Sequence, residues 1–187
     1  MTLPTGGTIN YTYTNFKDAH GNQDLVVTSR AAAGGTWQYS YVVTGSCNGV
    51  CEQQTTITKP SGDVTTYAYS MFNGAWPFLI QYYQGPASPA NLMAMVQDVY
   101  DMSQPCPLKH CTGPAYIRKS SETVTLSPNT SRISKFTQYT YDSPQTGNVT
   151  AIKEWNGFSG TGTPVRATYI TYSPTIGDRT DFLYHGE

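Results

Sequence analysis

The segment at residues 138–155 reads QYTYDSPQTGNVTAIKEW, and its pattern decides the fold class. Tyr139 and Tyr141 alternate with polar residues, as expected of a strand that packs on one side. A break follows that contains a proline and the step from Gly147 to Asn148, a pair that tolerates the positive φ of a tight reversal. Alternation then resumes toward the tryptophan at the end. The segment therefore predicts a strand, a turn and a second strand.

The composition of the whole chain favours an all-β fold. Its 187 residues include 27 threonines, 15 tyrosines, 17 glycines and 12 prolines. Threonine and tyrosine favour pleated surfaces, whereas glycine and proline favour turns. The 11 basic and 12 acidic residues create no basic field for a polyphosphate backbone, so nucleic acid is not an expected partner. No apolar run of about 18 residues is present, so we expect no membrane span. We also expect no cofactor.

A segment near the start of the chain recurs 56 positions later without a gap. The sequence PTGGTINYTYTNF at residues 4–16 matches PSGDVTTYAYSMF at residues 60–72. The aligned aromatic residues are Tyr11, Tyr13 and Phe16 in the first copy, and Tyr67, Tyr69 and Phe72 in the second. Each copy is a turn that leads into a strand whose tyrosines share one face. Two copies predict a repeat of β-hairpins.

Further strands are predicted by alternation at residues 36–44, 53–59 and 121–126. The segment SPANLMAMVQDVYDMS at residues 88–103 is ambiguous. Read as a helix, it has an apolar stripe behind a Ser88 cap. Read as a strand, it has one face that carries Leu92, Ala94, Val96 and Tyr100. We favour the strand, and the helix remains the alternative.

These units resemble the Rhs or YD-repeat family, which includes bacterial toxin components, polymorphic toxins and the animal teneurins. The resemblance is carried by YTYDSPQTGNVTAIKEW, PSGDVTTYAYS, VYDMSQP and YITYSPTIGDRTDFLYHG. Asp101 and Asp142 carry the aspartate that follows tyrosine in the family. The resemblance implies consecutive antiparallel β-hairpins that form a curved open sheet or partial shell.

The resemblance also implies a function without catalysis. In the parent protein such a shell encloses or presents a toxin-like cargo, so the implied partners are the neighbouring repeats of the parent chain and an encapsulated toxin polypeptide. It implies an extracellular or cell-surface location. We expect residues 1–187 to form a single β region with a candidate subdivision near residues 85–90. Because patterned segments run to both ends, we interpret the chain as a piece of a longer protein.

Aromatic residues are predicted to form the packed rows of the repeat. Tyrosine suits this role because its ring packs across strands while its hydroxyl reaches water or a carbonyl. The predicted row residues are Tyr11, Tyr13, Phe16, Tyr67, Tyr69, Phe72, Tyr100, Tyr139, Tyr141, Trp155 and Tyr172. Threonines are expected on the face opposite the tyrosines.

The four cysteines form two close pairs, Cys47 with Cys51 and Cys106 with Cys111. Two local disulfides in an exported protein are the favoured interpretation. The alternatives are free thiols and a zinc site built from the four thiolates, with His110 in reserve. The spacing within each pair is wider than is usual for zinc, so we predict no metal.

Candidate catalytic groups are few. The sequence contains no nucleophile elbow from which a triad could be built. Carboxylates for sugar cleavage would have to come from Asp98, Asp101, Glu122, Asp142 and Glu154. Asp101 and Asp142 are better explained as turn caps that bind nearby amides, so we predict that the chain is not an enzyme.

A carbohydrate-binding or adhesion module is the alternative class of function. In such a module, Trp37, Trp76 and Trp155 would stack on the sugar rings of a glycan. Cross-strand packing is the favoured interpretation of the same tryptophans.

Overall fold

The computed structural model describes residues 7–18, 20–45, 52–71, 75–101, 117–142, 147–172 and 182–186. Within those ranges the chain forms twelve β-strands and a single three-residue 3₁₀-helix, Pro89–Asn91. The predicted all-β fold is confirmed. That short helix, the only one in the described ranges, cannot span a membrane.

The strands follow one another along the chain, with the 3₁₀-helix just before the seventh. The first six are β1 (Asn10–Lys17), β2 (Gln23–Ala32), β3 (Gly35–Val43), β4 (Glu52–Thr58), β5 (Val64–Ser70) and β6 (Trp76–Tyr83). The second six are β7 (Leu92–Asp101), β8 (Arg118–Leu126), β9 (Ile133–Tyr141), β10 (Val149–Asn156), β11 (Arg166–Tyr172) and β12 (Phe182–Gly186).

Strand order in the sheet is the same as strand order in the sequence. It runs from β1 to β12, with these two strands at its ends. Every pair with an assigned register is antiparallel. The predicted succession of antiparallel hairpins is therefore confirmed, and the two strands predicted from residues 138–155 are β9 and β10, which pair antiparallel.

The chain divides into two compact units. Unit 1 comprises Met1–Val96 and Leu126–Arg132, and unit 2 comprises Gln97–Thr125 and Ile133–Glu187. The division falls inside β7, in the strand that follows the loop at residues 85–90.

The ambiguous segment forms β7. The 3₁₀-helix is limited to its three residues, and Ser88 makes no side-chain capping hydrogen bond. Leu92 already has extended backbone angles, φ −70° and ψ 112°. The β-branched Val96 and Val99 favour this extended chain over a helix.

Two hairpin loops of unit 1 share one pattern of hydrogen bonds. In the first loop, the Asp18 N–H donates to the Asn22 carbonyl at 2.9 Å, and the Gly21 N–H donates to the Asp18 carbonyl at 3.0 Å. The loop from Lys59 to Asp63 has the two equivalent bonds, both at 2.9 Å. The fourth residue of each loop is a glycine, with φ of 90° and 87°. Glycine adopts this left-handed conformation without steric cost, and both loops are three-residue hairpin turns as a result.

Buried positions in the sheet are mostly occupied by small polar residues. Thr125 is 0% exposed and Thr137 is 3% exposed. Other buried residues are Val64, Thr65, Thr66, Ser70, Ala151, Trp155 and Thr168. The Thr125 hydroxyl lies 3.2 Å from the Ser134 hydroxyl, so a buried threonine can keep a hydrogen bond while its methyl group packs.

Threonines do not keep to the face opposite the tyrosines. Because side chains alternate along a strand, Thr65 shares a face with Tyr67, and Thr137 shares a face with Tyr139. Both threonines are buried, whereas both tyrosines are half-buried. A large ring can cover a short neighbour on the same face, which explains why the expected separation of threonine from tyrosine is wrong at these positions.

Candidate functional site

In the described part of the chain, three tyrosines donate their hydroxyl hydrogen to the backbone of the preceding strand. The bonds are Tyr41 to the Val27 carbonyl at 2.9 Å, Tyr141 to the Lys119 carbonyl at 2.6 Å, and Tyr172 to the Val149 carbonyl at 3.0 Å. Each tyrosine lies at or near the C-terminal end of its strand, β3, β9 or β11. We call these three contacts the tyrosine latches. Each latch joins two paired strands through a side chain in addition to their backbone ladder.

Burial keeps the hydroxyls of two latches, Tyr41 and Tyr141, in the donor form. It raises the pKa of Tyr41 and the pKa of Tyr141 above the ordinary tyrosine value, because the phenolate is poorly solvated there. The Tyr141 ring also lies under the Arg118 guanidinium, whose carbon is 5.1 Å from the ring centroid. The charge of this arginine acts against the rise in the Tyr141 pKa without cancelling it.

Other predicted row residues pack on one another around the latches. The rings of Tyr67 and Tyr69 stack with their centroids 6.1 Å apart. The ring centroids of Phe16 and Tyr41 are 5.6 Å apart. Strand register places Tyr41, Thr55 and Tyr67 directly opposite one another.

The remaining row residues differ in burial. Tyr11 and Tyr13 lie on the terminal strand β1 and are 39% and 54% exposed. Tyr100 and Tyr139 are half-buried. Phe72 lies outside the described residues.

The sequence contains a signal for two of the latches, although the latches were not among the features predicted from it. QYSY at residues 38–41 and QYTY at residues 138–141 place a latch tyrosine fourth in a nearly identical tetrapeptide. The third latch, Tyr172, lies in the related YITY at residues 169–172. The shared tetrapeptide marks a position at or near the end of a strand where a tyrosine hydroxyl donates to the preceding strand.

Two loops are closed by an aspartate and an asparagine, which we call the Asp–Asn clasps. Asp142 donates its N–H to the Asn148 carbonyl at 3.1 Å, and the Asn148 N–H and Nδ2 donate to the two Asp142 carboxylate oxygens, each at 3.1 Å. The same three bonds join Asp18 to Asn22, at 2.9, 2.7 and 3.0 Å. Turn capping by Asp142 is thus confirmed. Both clasps end in a Gly-Asn step, and the sequence interpretation recognised only the second.

A charged cluster lies in unit 2 and consists of Asp98 on β7 with Lys119 and Glu122 on β8. Lys119 Nζ is 2.8 Å from Asp98 Oδ2 and 3.0 Å from Glu122 Oε2. The Asp98 side chain is 4% exposed, and within the described ranges its other oxygen, Oδ1, has no hydrogen-bond partner. Tyr100 and Tyr139 are within electrostatic range of all three residues. We call this group the Lys119 cluster.

The two carboxylates of the Lys119 cluster stabilise the charged form of Lys119. Burial alone would lower the pKa of Lys119, but hydrogen bonds to Asp98 and Glu122 outweigh it and place the pKa above the ordinary lysine value. Two of the carboxylates considered for sugar cleavage therefore share one lysine. In a third carboxylate, Glu154, Oε1 lies 2.9 Å from Lys135 Nζ. This hydrogen bond lowers the pKa of Glu154, so the carboxylate stays ionised and is not ready to donate a proton.

The three tryptophans have different surroundings. Trp155 is 6% exposed, its Nε1 donates to the Gly162 carbonyl at 3.1 Å, and its ring centroid is 5.8 Å from that of Phe136. Trp37 is half-buried, with the Arg30 guanidinium carbon 4.6 Å from its ring centroid. Trp76 on β6 is also half-buried.

Cys47, Cys51, Cys106 and Cys111 lie outside the described residues, as does His110. The disulfide and zinc interpretations therefore stay predictions. In the part of the chain that the structure describes, no group of three or more His, Cys, Asp or Glu side chains is arranged to hold a metal ion.

No protein-family model matches the chain, and no curated protein matches it either.

Proposed function

We propose that this chain is a non-enzymatic wall segment of a YD-repeat-type shell, exported or displayed at the cell surface, that encloses or presents a polypeptide cargo in a longer parent protein. Its partners in this role are the neighbouring repeats of the parent and the cargo. Its task is mechanical, because a wall must keep adjacent hairpins paired.

The tyrosine latch is the observation that carries the proposal. It occurs in both units, on β3, β9 and β11, and each time it bonds to the strand that precedes it. A single hairpin is marginally stable in water, so a protein made of consecutive hairpins gains from a contact that ties each strand to its neighbour. A recurrent device of this kind suits a repetitive wall better than a unique catalytic centre.

The surroundings of the tryptophans favour packing over carbohydrate binding. Trp155 is buried with its N–H satisfied, and one face of Trp37 is covered by Arg30. A sugar platform needs a free aromatic face. A glycan array probed with this chain is therefore expected to be silent. Binding that Trp37→Ala or Trp76→Ala abolishes would instead support the adhesion module.

The shell role is tested on the complete product of the gene that encodes this chain. That protein is purified, imaged by electron microscopy and treated with a nonspecific protease. We expect a hollow particle in which a polypeptide lying beyond the repeats survives digestion. A matched variant with the three latch tyrosines changed to phenylalanine should expose that polypeptide sooner than a variant carrying Tyr11→Phe, Tyr13→Phe and Tyr169→Phe. A particle without a lumen, together with equal digestion in both variants, would refute the proposal.

A further inference from the structure

The Lys119 cluster brings an amine and a carboxyl group into direct contact. Lys119 Nζ is 2.8 Å from Asp98 Oδ2, an oxygen bound to the carboxyl carbon that the amine would attack. Reaction needs the nitrogen and that carbon at about 3–3.5 Å, so the amine has only to shift from the oxygen toward the carbon of a group that it already contacts. Asp98 and Lys119 lie on consecutive strands of the sheet, β7 and β8, which hold the two side chains in place.

We propose that Lys119 and Asp98 form an intramolecular isopeptide bond, with Glu122 as the proton-transfer group. This self-modification does not depend on the shell role proposed above. It needs no cofactor and no second protein.

The reaction balances with the atoms already present. The Lys119 ammonium and the Asp98 carboxylate together contain the atoms of one amide and one water molecule. Glu122 accepts a proton from Lys119, and the neutral amine attacks Cγ of Asp98 to form the N–C bond. The resulting tetrahedral centre then loses one of its carboxyl oxygens as water, with the protons supplied by Glu122 and by the attacking nitrogen. Nothing is oxidised or reduced.

Glu122 is placed for this role. Its Oε2 is 3.0 Å from Lys119 Nζ, so it can take the proton directly. A proton acceptor is needed because the ion pairs favour the charged ammonium, which is not nucleophilic.

Burial favours the amide product over the ion pair. The Asp98 side chain is 4% exposed, and its Oδ1 has no hydrogen-bond partner among the residues that the structure describes. A buried carboxylate with one unsatisfied oxygen is costly, and the amide removes both charges of the Asp98–Lys119 pair from this site. Half-buried Tyr100 contacts the cluster directly, with its hydroxyl 3.4 Å from Asp98 Oδ2.

The bond would link β7 to β8 through their side chains. It would close a covalent ring from residue 98 to residue 119 and restrict the unfolded chain, as a disulfide does. Unlike a disulfide, it would survive reducing agents.

Intact-mass spectrometry of the purified, fully reduced chain tests the proposal. Reduction comes first because disulfides also lower the mass. We expect most molecules to be lighter than the sequence mass by one water molecule. Protease digestion should release a branched peptide that joins the segment around Asp98 to the segment around Lys119, located by fragmentation. Wild-type protein at the full sequence mass, with no branched peptide, would overturn the proposal.

Two conservative variants control the measurement. Lys119→Arg keeps the positive charge but removes the reactive amine, so its mass should equal its sequence mass. Lys135→Arg is the matched control, since Lys135 also lies 2.9 Å from a carboxylate, that of Glu154, but its side chain is 50% exposed. The Lys135→Arg variant should lose water to the same extent as wild type. Water loss in both variants would point to a reaction elsewhere and contradict the proposal.

Glu122→Gln tests the proton-transfer role. Glutamine keeps the size of the side chain but cannot accept the proton at neutral pH. We expect the branched peptide to form at least tenfold more slowly after refolding, while circular dichroism shows the same β-sheet signal as wild type. Formation at the wild-type rate would remove Glu122 from the mechanism.

Discussion

Tyr141 on β9 donates its hydroxyl hydrogen to the carbonyl oxygen of Lys119 on β8 at 2.6 Å, while the side chain of the same lysine binds Asp98 on β7. Lys119 therefore takes part in two different side-chain connections between strands. Its backbone accepts a tyrosine latch and its ammonium holds the charged cluster. Three successive strands are joined at this residue.

Removing an Asp–Asn clasp should destabilise the protein without changing its fold. Asp142→Ala loses the two side-chain bonds to Asn148, and hydrogen bonds of this kind contribute about 1 kcal/mol each at most sites. We expect the free energy of unfolding in urea to fall by roughly 1–2 kcal/mol. Asp24→Ala, at an exposed position on β2, is the control and should change it by less than about 0.5 kcal/mol. Equal losses in the two variants would show that the clasp contributes nothing.

Acid should weaken unit 1 through Asp18 and Asp63. Desolvation acts to raise the pKa of Asp18. Hydrogen bonds from Asn22 and His20 outweigh this effect and lower the pKa below 3.8. The backbone N–H of Gly85 donates a hydrogen bond to the Asp63 carboxylate and lowers the pKa of Asp63 below 3.8. A lowered native pKa gives a stabilisation that is complete above the unfolded value and is lost as pH falls through the native value.

Thermal unfolding measured from neutral pH down to about pH 2 tests this acid dependence, because the range spans the ordinary carboxyl pKa. We expect the melting temperature to fall most steeply below pH 3.8. The double variant Asp18→Asn and Asp63→Asn should have a flatter profile in that range. A profile parallel to that of wild type would contradict the assignment to these two carboxylates.

Alkali should weaken the sheet through its half-buried tyrosines. Burial raises the pKa of Tyr67, Tyr69 and Tyr139 above 10.0. A raised native pKa gives a stabilisation that is complete below the unfolded value and is lost as pH rises through the native value. We expect tyrosinate absorbance to develop at higher pH in the native chain than in the same chain in urea. Superimposable titrations would mean that these rings are solvated.

Truncation should distinguish the buried tryptophan from the half-buried one. Trp155 is 6% exposed, so Trp155→Ala leaves a large cavity and should cost about 3–5 kcal/mol of unfolding free energy. Trp37→Ala should cost clearly less, because Trp37 is only half-buried on β3. Urea unfolding followed by circular dichroism measures both, and an equal or reversed cost would contradict the packing described for Trp155.

The sequence predicted strands well where one face packs and the other does not. Alternation at residues 138–155 indicated β9, its turn and β10, and the recurring aromatics indicated β5. At residues 92–101 the apolar spacing fitted both a helix and a strand. Pairing with neighbouring strands favours the strand, and such pairing is not visible in a local pattern.

The Lys119 cluster could not be predicted for a related reason. Asp98 and Glu122 were recognised as carboxylates, but Lys119 became their shared partner only when β7 and β8 were placed side by side. A separation of 21 residues between Asp98 and Lys119 carries no periodic signal. The Asp–Asn clasp at Asp142, by contrast, lies within one turn and was predictable from the aspartate and the Gly-Asn step.

The tyrosine latches provide the most direct test of the wall. A triple variant with Tyr41→Phe, Tyr141→Phe and Tyr172→Phe keeps every ring and removes only the three hydroxyls. Its control changes Tyr11, Tyr13 and Tyr169 to phenylalanine, at positions that are 39%, 54% and 58% exposed. Both variants lose the same atoms.

Urea unfolding of the two triple variants is the decisive measurement. Each latch bond is expected to contribute about 1 kcal/mol, so the latch variant should lose roughly 3 kcal/mol, while the control loses less than about 1 kcal/mol. Equal stabilities of the two variants would contradict the account, because the hydroxyls would then do nothing to hold one strand to the strand before it.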